Sequence, residues 1–341
     1  MTDAKAFITD CDGLEFSAEE RSFLDAERPW GFILFGRNVD SPAQVSALTQ
    51  SFREIVGRPD APVLIDQEGG RVQRLEPPRW RLYPSAREIG DTFVRDPDGA
   101  RRAAWLKARG LAADLIALGI DVDCLPCLDV PVAGAHEVIG ERAFSVDPEV
   151  VAILGRETVN GLMAGGVLPV IKHVPGHGRA DADTHFDLPT VSTSLAELER
   201  TDFAAFRPFA AAPMAMTVHL VLAAVDPHRP ATQSPKVIEE IIRGHLGFDG
   251  LLMTDDLSMQ ALGGGAAERA SKCIRAGCDV ILHCNDTLEN RYAVASVSPI
   301  LSGNAARRAE AAVAARKAPE PFDVDAGWDE LCSLLDVRVA A

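Results

Sequence analysis

The sequence predicts an α/β fold, namely a single (β/α)₈ barrel with a helical extension at its C-terminal end. Short apolar, β-rich segments alternate along the chain with segments of helical periodicity, which is typical of parallel strands joined by helices. Eight such units occupy roughly 280 residues, close to the size of a (β/α)₈ barrel. A doubly wound open sheet is the alternative fold. That fold normally has a glycine-rich phosphate turn after its first strand, and the segment CDGLEF lacks one.

The predicted strands share a continuous apolar character, as expected for parallel strands that are buried on both faces. In chain order they are Ala6–Thr9, Gly31–Phe35, Val63–Asp66, Val122–Leu125, Leu168–Lys172, Met214–His219, Leu251–Thr254 and Val280–His283.

The predicted helices fall between these strands, and several have recognisable start and stop signals. Ser234 and Pro235 are typical of a helix start, and Gly247 follows the end of the same helix. We expect one domain over residues 1–341, with the barrel at about 5–300 and a helical tail at about 301–341. The helix candidates are Ser17–Glu27, Pro42–Val56, Ala100–Leu118, Pro148–Ala164, Ser194–Phe209, Pro235–His245, Ala266–Ala276, an exposed helix at Ala305–Ala318 and a short terminal helix after a loop at Pro319–Gly327.

Composition limits the possible partners and the compartment. The chain has 34 basic and 50 acidic residues, a net charge of −16, and such a field repels nucleic acids and anionic membranes. The N-terminus lacks a secretory pattern, and no apolar run approaches the ~20 residues that span a bilayer. Seven cysteines, an odd number, suit a reducing compartment. We therefore expect a cytoplasmic protein.

A C-x-x-C pair, Cys124 and Cys127, lies in a predicted core strand. Such a pair is found in redox centres and zinc sites. Because no second pair follows at metal-ligand spacing, buried structural thiols are the preferred interpretation.

Ionisable residues occur at most of the predicted strand ends. Barrel enzymes place their reacting groups there, because the loops that follow the strands converge at one face. The sequence therefore predicts a polar site at one mouth of the barrel. The strand-end residues are Asp66, Asp129, Lys172, His173, His219, Asp255 and Asp256.

The segment from Ile171 to Pro189 concentrates histidines and aspartates in a predicted loop. Asp183 stands two residues before His185, where a carboxylate can orient an imidazole and raise its basicity. A divalent metal site is the alternative for these histidines. We predict no metal, because the histidine spacings match no helical ligand pair and Lys172 would place a cation beside the ion.

Two carboxylates end the segment FDGLLMTDDLSM. Because neighbouring residues on a strand point to opposite sides, one should face the barrel mouth. Asp255 in that position could attack an anomeric carbon, whereas Asp256 could cap the following helix.

Arginines elsewhere in the sequence could bind sugar hydroxyls. Asp66 precedes a Gly-Gly turn followed by Arg71 and Arg74, and Arg142 lies in a loop after the fourth strand. Guanidinium groups paired with carboxylates bind hydroxyls through charge-assisted hydrogen bonds. An ordinary salt-bridged loop is an equally good interpretation of the residues around Asp66.

Taken together and in order, these motifs resemble glycoside hydrolase family 3, and within it the short bacterial β-N-acetylglucosaminidases of the peptidoglycan-recycling type. The resemblance spans about residues 31–259 and departs at Val174, where many members have an aromatic residue, and at Thr184 and Thr254, where serine is common. The motifs that carry it are GFILFGRN, IDQEGGRVQRL, VIGERAF, KHVPGHG, DADTH and TDDLSM.

The resemblance implies a role for each matching residue. It implies that Asp255 is the nucleophile, that His185 is the acid/base residue and that Asp183 orients His185. The larger members take their acid/base carboxylate from a second domain, for which this chain has no room. We therefore expect the acid to come from the barrel itself. The substrate-binding residues that the resemblance implies are Asp66, Arg74, Arg142, Lys172 and His173.

The implied activity is removal of terminal β-linked N-acetylglucosamine from muropeptide fragments through a covalent glycosyl-enzyme. We expect a small-molecule sugar substrate, no cofactor and a monomeric protein. Three alternatives remain open: an N-acetylglucosaminide phosphorylase that uses the same residues, a metal-dependent barrel hydrolase, and a sugar-binding module without catalysis.

Overall fold

Eight parallel strands form the barrel in the computed structural model, which describes residues 3–180 and 188–336. The strands of this sheet are β1 Lys5–Thr9, β2 Pro29–Leu34, β3 Val63–Ile65, β4 Val122–Asp123, β5 Leu168–Val174, β7 Met214–Thr217, β9 Leu251–Met253 and β10 Ile281–Leu282; a separate parallel pair is made by β6 Thr190–Val191 and β8 Val221–Leu222. The order is β10-β1-β2-β3-β4-β5-β7-β9. A parallel bridge between Met253 and Val280 brings the two edges together. The predicted fold class is confirmed.

The strands form where the sequence is apolar on both faces. All six residues of β2 and all seven of β5 are buried. The fourth strand is shorter than predicted and ends at Asp123, where the backbone N–H of Leu125 donates to the Asp123 carbonyl oxygen at 2.8 Å. Pairing with β5 resumes at Cys127, which bridges to Lys172.

Helices cover the outside of the barrel and mostly begin at polar caps. Ser17 and Ser85, for example, each form a capping box with a glutamate three residues later. In the described part of the chain, no helix is both long and apolar enough to cross a membrane. The helices are α1 Ala18–Glu27, α2 Pro42–Ile55, α3 Ala86–Phe93, α4 Pro97–Ile116, α5 Pro148–Ala164, α6 Leu195–Arg200, α7 Asp202–Phe206, α8 Ala266–Ala276, α9 Leu288–Val297, α10 Gly303–Ala314 and α11 Val324–Leu335.

Several helix predictions need correction. The predicted helix Ser194–Phe209 is broken at Thr201 (φ −116°, ψ −86°) and ends in a 3₁₀ turn that contains Pro208. The predicted helix at Pro235 is a π-helix over Val237–His245. The helices α3 and α9 had not been predicted.

The helical tail packs on the barrel. We had expected the helix near Ala305 to be exposed, but Ala309 and Ala312 of α10 are buried in the same cluster as Ala4 and Trp30 near the start of β1 and β2. Small alanine side chains allow this close approach of a helix to the barrel. The N-terminal end of the barrel is therefore covered, and the polar strand ends lie at the other mouth.

Gly90 of α3 packs tightly against the loop that follows Arg142. A Cβ atom at Gly90 would lie 1.7 Å from the carbonyl oxygen of Phe144, two residues beyond Arg142. We expect Gly90→Ala to lower the free energy of unfolding by about 2–3 kcal/mol through overpacking. Urea denaturation measures this. Gly263→Ala is the matched control, since nothing lies within 4 Å of its Cβ position. Equal stability of the two variants would contradict the prediction.

Candidate active site

A cavity of about 190 Å³ opens at the C-terminal ends of the barrel strands. Apolar side chains from inside the barrel, among them Ile33, Met216 and Leu282, form part of its wall. The structure also brings together seven residues that the sequence had singled out at scattered positions. These are Asp66, Arg74, Arg142, Lys172, His173, Asp255 and Asp256, all of which line the cavity.

A chain of alternating charges crosses the wall of this cavity. Lys172 Nζ lies 2.7 Å from Asp66 Oδ1 and 2.7 Å from Glu68 Oε1. Arg142 donates two hydrogen bonds to Glu68, from Nε at 2.9 Å and Nη2 at 2.8 Å. At the other end, Arg74 Nη2 lies 3.5 Å from Asp66 Oδ2. Three cations therefore share two carboxylates, and we call these five residues the charge chain.

The charge chain keeps its members ionised despite burial. Burial alone would raise the pKa of Asp66 and Glu68, but the cations Lys172, Arg74 and Arg142 outweigh it and hold both pKa values below their usual range. Burial opposes the charge on Lys172 as well, yet its two carboxylate partners raise the Lys172 pKa above its ordinary value.

Glu68 is the member of the charge chain that our sequence analysis did not identify. The sequence did contain a signal for a functional role of Glu68, because this residue stands between Asp66 and a Gly-Gly turn. Both glycines have positive φ, 80° at Gly69 and 59° at Gly70. A Cβ atom at Gly69 would lie 2.6 Å from the Pro84 carbonyl oxygen, so the tight turn that follows Glu68 requires glycine.

Asp129 contacts two histidines of the neighbouring segment, the ring of His173 and the backbone of His177. Its Oδ2 lies 2.6 Å from His173 Nδ1, and its Oδ1 accepts the backbone N–H of His177 at 2.7 Å. Burial would raise the Asp129 pKa, but the histidines lower it below its usual range. The His173 Nε2 atom then lies 3.4 Å from Arg142 Nη2. We had noted Asp129 as a strand-end residue without recognising this orienting contact.

His177 lines the same cavity. Burial, and to a smaller extent the neighbouring His173, lowers the pKa of His177 to about 4. His177 is therefore neutral at physiological pH.

Cys127, Asp129 and His173 have ligand atoms within 4.8 Å of one another and are buried. Burial raises the pKa of the Cys127 thiol well above its usual range. Asp129 already accepts hydrogen bonds from both partners. The absence of a metal stays a prediction.

Asp255 follows β9 and lies at the cavity wall with 9% exposure. Its Oδ1 accepts the backbone N–H of Asp256 at 2.8 Å. We had expected that Asp256 could cap the next helix. It does not, because α8 begins at Ala266 and its N-cap residue is Gly265. Its carboxylate instead accepts the N–H groups of Ser258 and Cys284.

His219, another strand-end residue, is fully buried, with Nε2 3.1 Å from the Asp256 carbonyl oxygen. Burial lowers its pKa. It contributes to the support of the Asp255–Asp256 turn.

Asp183 and His185, the predicted orienting residue and acid/base residue, lie outside the described residues. The described part of the chain before them ends at Ala180. A Cβ atom at Gly178 would lie 2.0 Å from the Val130 carbonyl oxygen, so the segment after β5 packs closely against the segment that carries Asp129.

Comparison with known proteins gives the family. Residues 4–315 match the sequence model of the glycosyl hydrolase family 3 N-terminal domain. The chain belongs to glycosyl hydrolase family 3. The predicted resemblance and the predicted enzyme class, a glycoside hydrolase, are thereby confirmed.

Individual relatives extend this result. A β-hexosaminidase of Bordetella avium (strain 197N) is 38% identical over 282 residues, covering 82% of this chain and 80% of that protein. NagZ from Neisseria gonorrhoeae, solved in complex with N-trifluoroacetyl-D-glucosamine, superposes with a TM-score of 0.87 at 31% identity and covers 99% of both chains. A family 3 β-N-acetylglucosaminidase from Paenibacillus sp. str. FPU-7 superposes with a TM-score of 0.81 at 32% identity. That superposition covers 98% of this chain but only 62% of the Paenibacillus protein.

Glu68 offers a test of the charge chain. We expect Glu68→Gln to lower the free energy of unfolding at pH 7 by about 3–5 kcal/mol, because Lys172 and Arg142 lose a buried counter-ion. The exposed Glu76→Gln is the control and should change stability by less than about 0.5 kcal/mol. Urea denaturation of both variants measures the difference, and a similar small effect at both positions would be inconsistent with the charge chain.

His177 makes the protein less stable as pH falls. Its folded pKa of about 4 lies below the usual value of 6.5, so between these values the unfolded chain binds a proton that the folded protein does not. Stability is therefore fully present above pH 6.5 and decreases as pH falls towards 4, by about 1.4 kcal/mol per pH unit. We expect His177→Gln to have a correspondingly shallower slope from pH 6 to 4.5 in urea denaturation. Parallel curves for variant and wild type would refute the assignment.

Proposed function

We propose that this enzyme is an exo-acting, retaining β-N-acetylglucosaminidase. The observation that carries the proposal is the position of Asp255, at the end of β9 in the wall of a cavity whose other side is the charge chain. A carboxylate at that position can attack an anomeric carbon while the charge chain binds sugar hydroxyls. The names of the relatives, β-hexosaminidase and β-N-acetylglucosaminidase, support the same activity.

The size and lining of the cavity favour one terminal sugar. A volume of about 190 Å³ is below that of pockets for drug-sized ligands, which favours removal of a single unit over binding of an extended chain. Apolar residues such as Met216 and Leu282 lie beside the polar ones, and this mixture suits a sugar with both hydroxyl groups and an acetamido methyl group.

The proposed reaction has two steps. His185 donates a proton to the glycosidic oxygen while Asp255 attacks the anomeric carbon, so that the C–O bond to the leaving group breaks and a glycosyl ester forms. The neutral His185 then takes a proton from water, which attacks the same carbon and releases Asp255. Asp183 holds the His185 ring in its reactive orientation.

Imidazole replaces the second carboxyl group that most retaining glycosidases use. Since the ordinary pKa of histidine lies near neutrality, no apolar pocket is required to adjust it.

We further propose that the substrate is a muropeptide fragment and that the reaction is a step of cell-wall recycling in the cytoplasm. The charge chain has one more cation than carboxylates, which favours a neutral or anionic sugar such as one linked to a muramic acid. The same arrangement uses no metal.

The test is hydrolysis of N-acetylglucosaminyl-1,6-anhydro-N-acetylmuramic acid, followed by chromatography of the released sugar. We expect His185→Ala to lower kcat roughly 10²–10⁴-fold and Asp255→Asn to be inactive. A fluorinated N-acetylhexosamine analogue should leave an adduct on Asp255, located by mass spectrometry of peptides. The exposed Asp91→Asn serves as the control with unchanged activity.

Near-normal turnover by His185→Ala would exclude its role as the acid, and an adduct on another residue would exclude Asp255 as the nucleophile. Two further arms separate the alternatives: sugar 1-phosphate formed in phosphate buffer would indicate a phosphorylase, and activity lost after chelation would indicate a metal-dependent enzyme.

A further inference from the structure

Asn285 connects three separate segments at the edge of the cavity. It follows β10 with φ 56°, in the left-handed region. Its backbone N–H donates to Asp10 Oδ2 at 2.7 Å. Its side-chain oxygen accepts a hydrogen bond from Arg37 Nη1 at 2.7 Å, and its side-chain nitrogen donates to Asp256 Oδ2 at 3.1 Å. Every polar atom named here has a defined partner, so the amide orientation of Asn285 is fixed.

Asp256 transmits this orientation to Asp255. Its Oδ1 accepts N–H groups from Ser258 at 2.9 Å and Cys284 at 3.1 Å, and its Oδ2 accepts from Ser258 Oγ at 2.7 Å in addition to Asn285. With four hydrogen bonds its carboxylate has one position. The backbone N–H of Asp256 in turn donates to Asp255 Oδ1, and the proposed attack on a sugar uses the other oxygen, Oδ2.

Arg37 supports Asn285 from outside the cavity. It donates from Nε to the Cys11 carbonyl oxygen at 3.1 Å and is also paired with the buried Asp10. Among the described residues that line the cavity, Asn285 is included and Arg37 is not. Any effect of Arg37 on the reaction therefore passes through the residues that it holds.

We propose that Asn285 is a positioning residue for the nucleophile: held by Arg37 and Asp10, it fixes Asp256, and Asp256 fixes the reactive rotamer of Asp255. This inference rests on the proposed function, which makes Asp255 the nucleophile. The reacting oxygen of a nucleophile must be held close to the attack geometry, and a hydrogen-bond chain that ends on its second oxygen provides this constraint.

The decisive variant is Asn285→Gly. Glycine adopts the left-handed conformation without strain and keeps the N–H bond to Asp10, so the fold should be unaffected while the side-chain link is lost. We expect kcat on the disaccharide to fall roughly 10- to 100-fold with KM within about twofold of wild type. Thermal unfolding by circular dichroism checks the fold. An unchanged kcat, or a loss confined to KM as for a residue that binds only the substrate, would overturn the proposal.

Arg37→Gln tests the same series of hydrogen bonds, from Arg37 through Asn285 to Asp256, without changing the backbone turn at Asn285. If Asn285→Gly does not fold, Arg37→Gln alone tests the positioning role. We expect kcat to fall in the same direction, and the double variant to lose no more than Asn285→Gly alone, since both changes cut one chain. Arg102→Gln, at an exposed arginine paired with Glu330, is the control with unchanged kcat. A wild-type Arg37→Gln rate, or losses that multiply in the double variant, would contradict the inference.

The two proposals fail in different ways. A wild-type protein that releases no N-acetylglucosamine would contradict the proposed function. An active wild type whose Asn285→Gly variant is equally active would contradict the positioning role alone.

Discussion

The charge chain is the interaction on which the site depends. Each of its ions would cost several kcal/mol to bury alone, and attraction between neighbours offsets this only when the geometry is good and the remaining donors are satisfied. Glu68 meets that condition, with contacts of 2.7–2.9 Å from Lys172 and Arg142. The carboxylates thereby fix the positions of two cations at the cavity wall. In a protein with net charge −16, the charge chain, with three cations and two carboxylates, also creates a local excess of positive charge.

The barrel makes this arrangement possible because it brings distant segments to one mouth. Asp66 and Glu68 follow β3, Lys172 lies within β5, and Arg142 comes from a 3₁₀ turn at Gly140–Arg142. Each segment is held by its own packing, such as the contact of Gly90 with Phe144 beside Arg142. The precision of the charge chain is therefore a property of the whole mouth.

The parts of the structure that depend on local sequence could be predicted, and those that depend on distant partners could not. Apolar runs identified the barrel strands, and strand ends identified Asp66, Lys172 and Asp255, because burial and chain direction are encoded locally. Asn285 was missed, since its partner Arg37 is 248 positions away. Glu68 was missed although it stands between Asp66 and a Gly-Gly turn, and its pairing with Arg142, 74 positions away, could not be predicted. The break at Thr201 was also not predicted; its hydroxyl accepts a hydrogen bond from Arg179, 22 positions away.

Positive and negative groups lie on different parts of the cavity wall, and this distribution of charge suits the proposed cleavage of a glycoside. On one side the three cations of the charge chain outnumber their carboxylates, so that side suits the oxygen substituents of a sugar. On the other side Asp255 and Asp256 stand next to each other, and positive charge that develops at the anomeric carbon in an oxocarbenium-like transition state would be stabilised there. His177, which also lines the cavity and is neutral, adds no charge to it. Since Asp256 is fully occupied by hydrogen bonds from Ser258, Cys284 and Asn285, it contributes its field without competing with Asp255 as a nucleophile. In the proposed mechanism, the hydrogen bonds of the two adjacent carboxylates would assign bond formation to Asp255 and electrostatic stabilisation to Asp256.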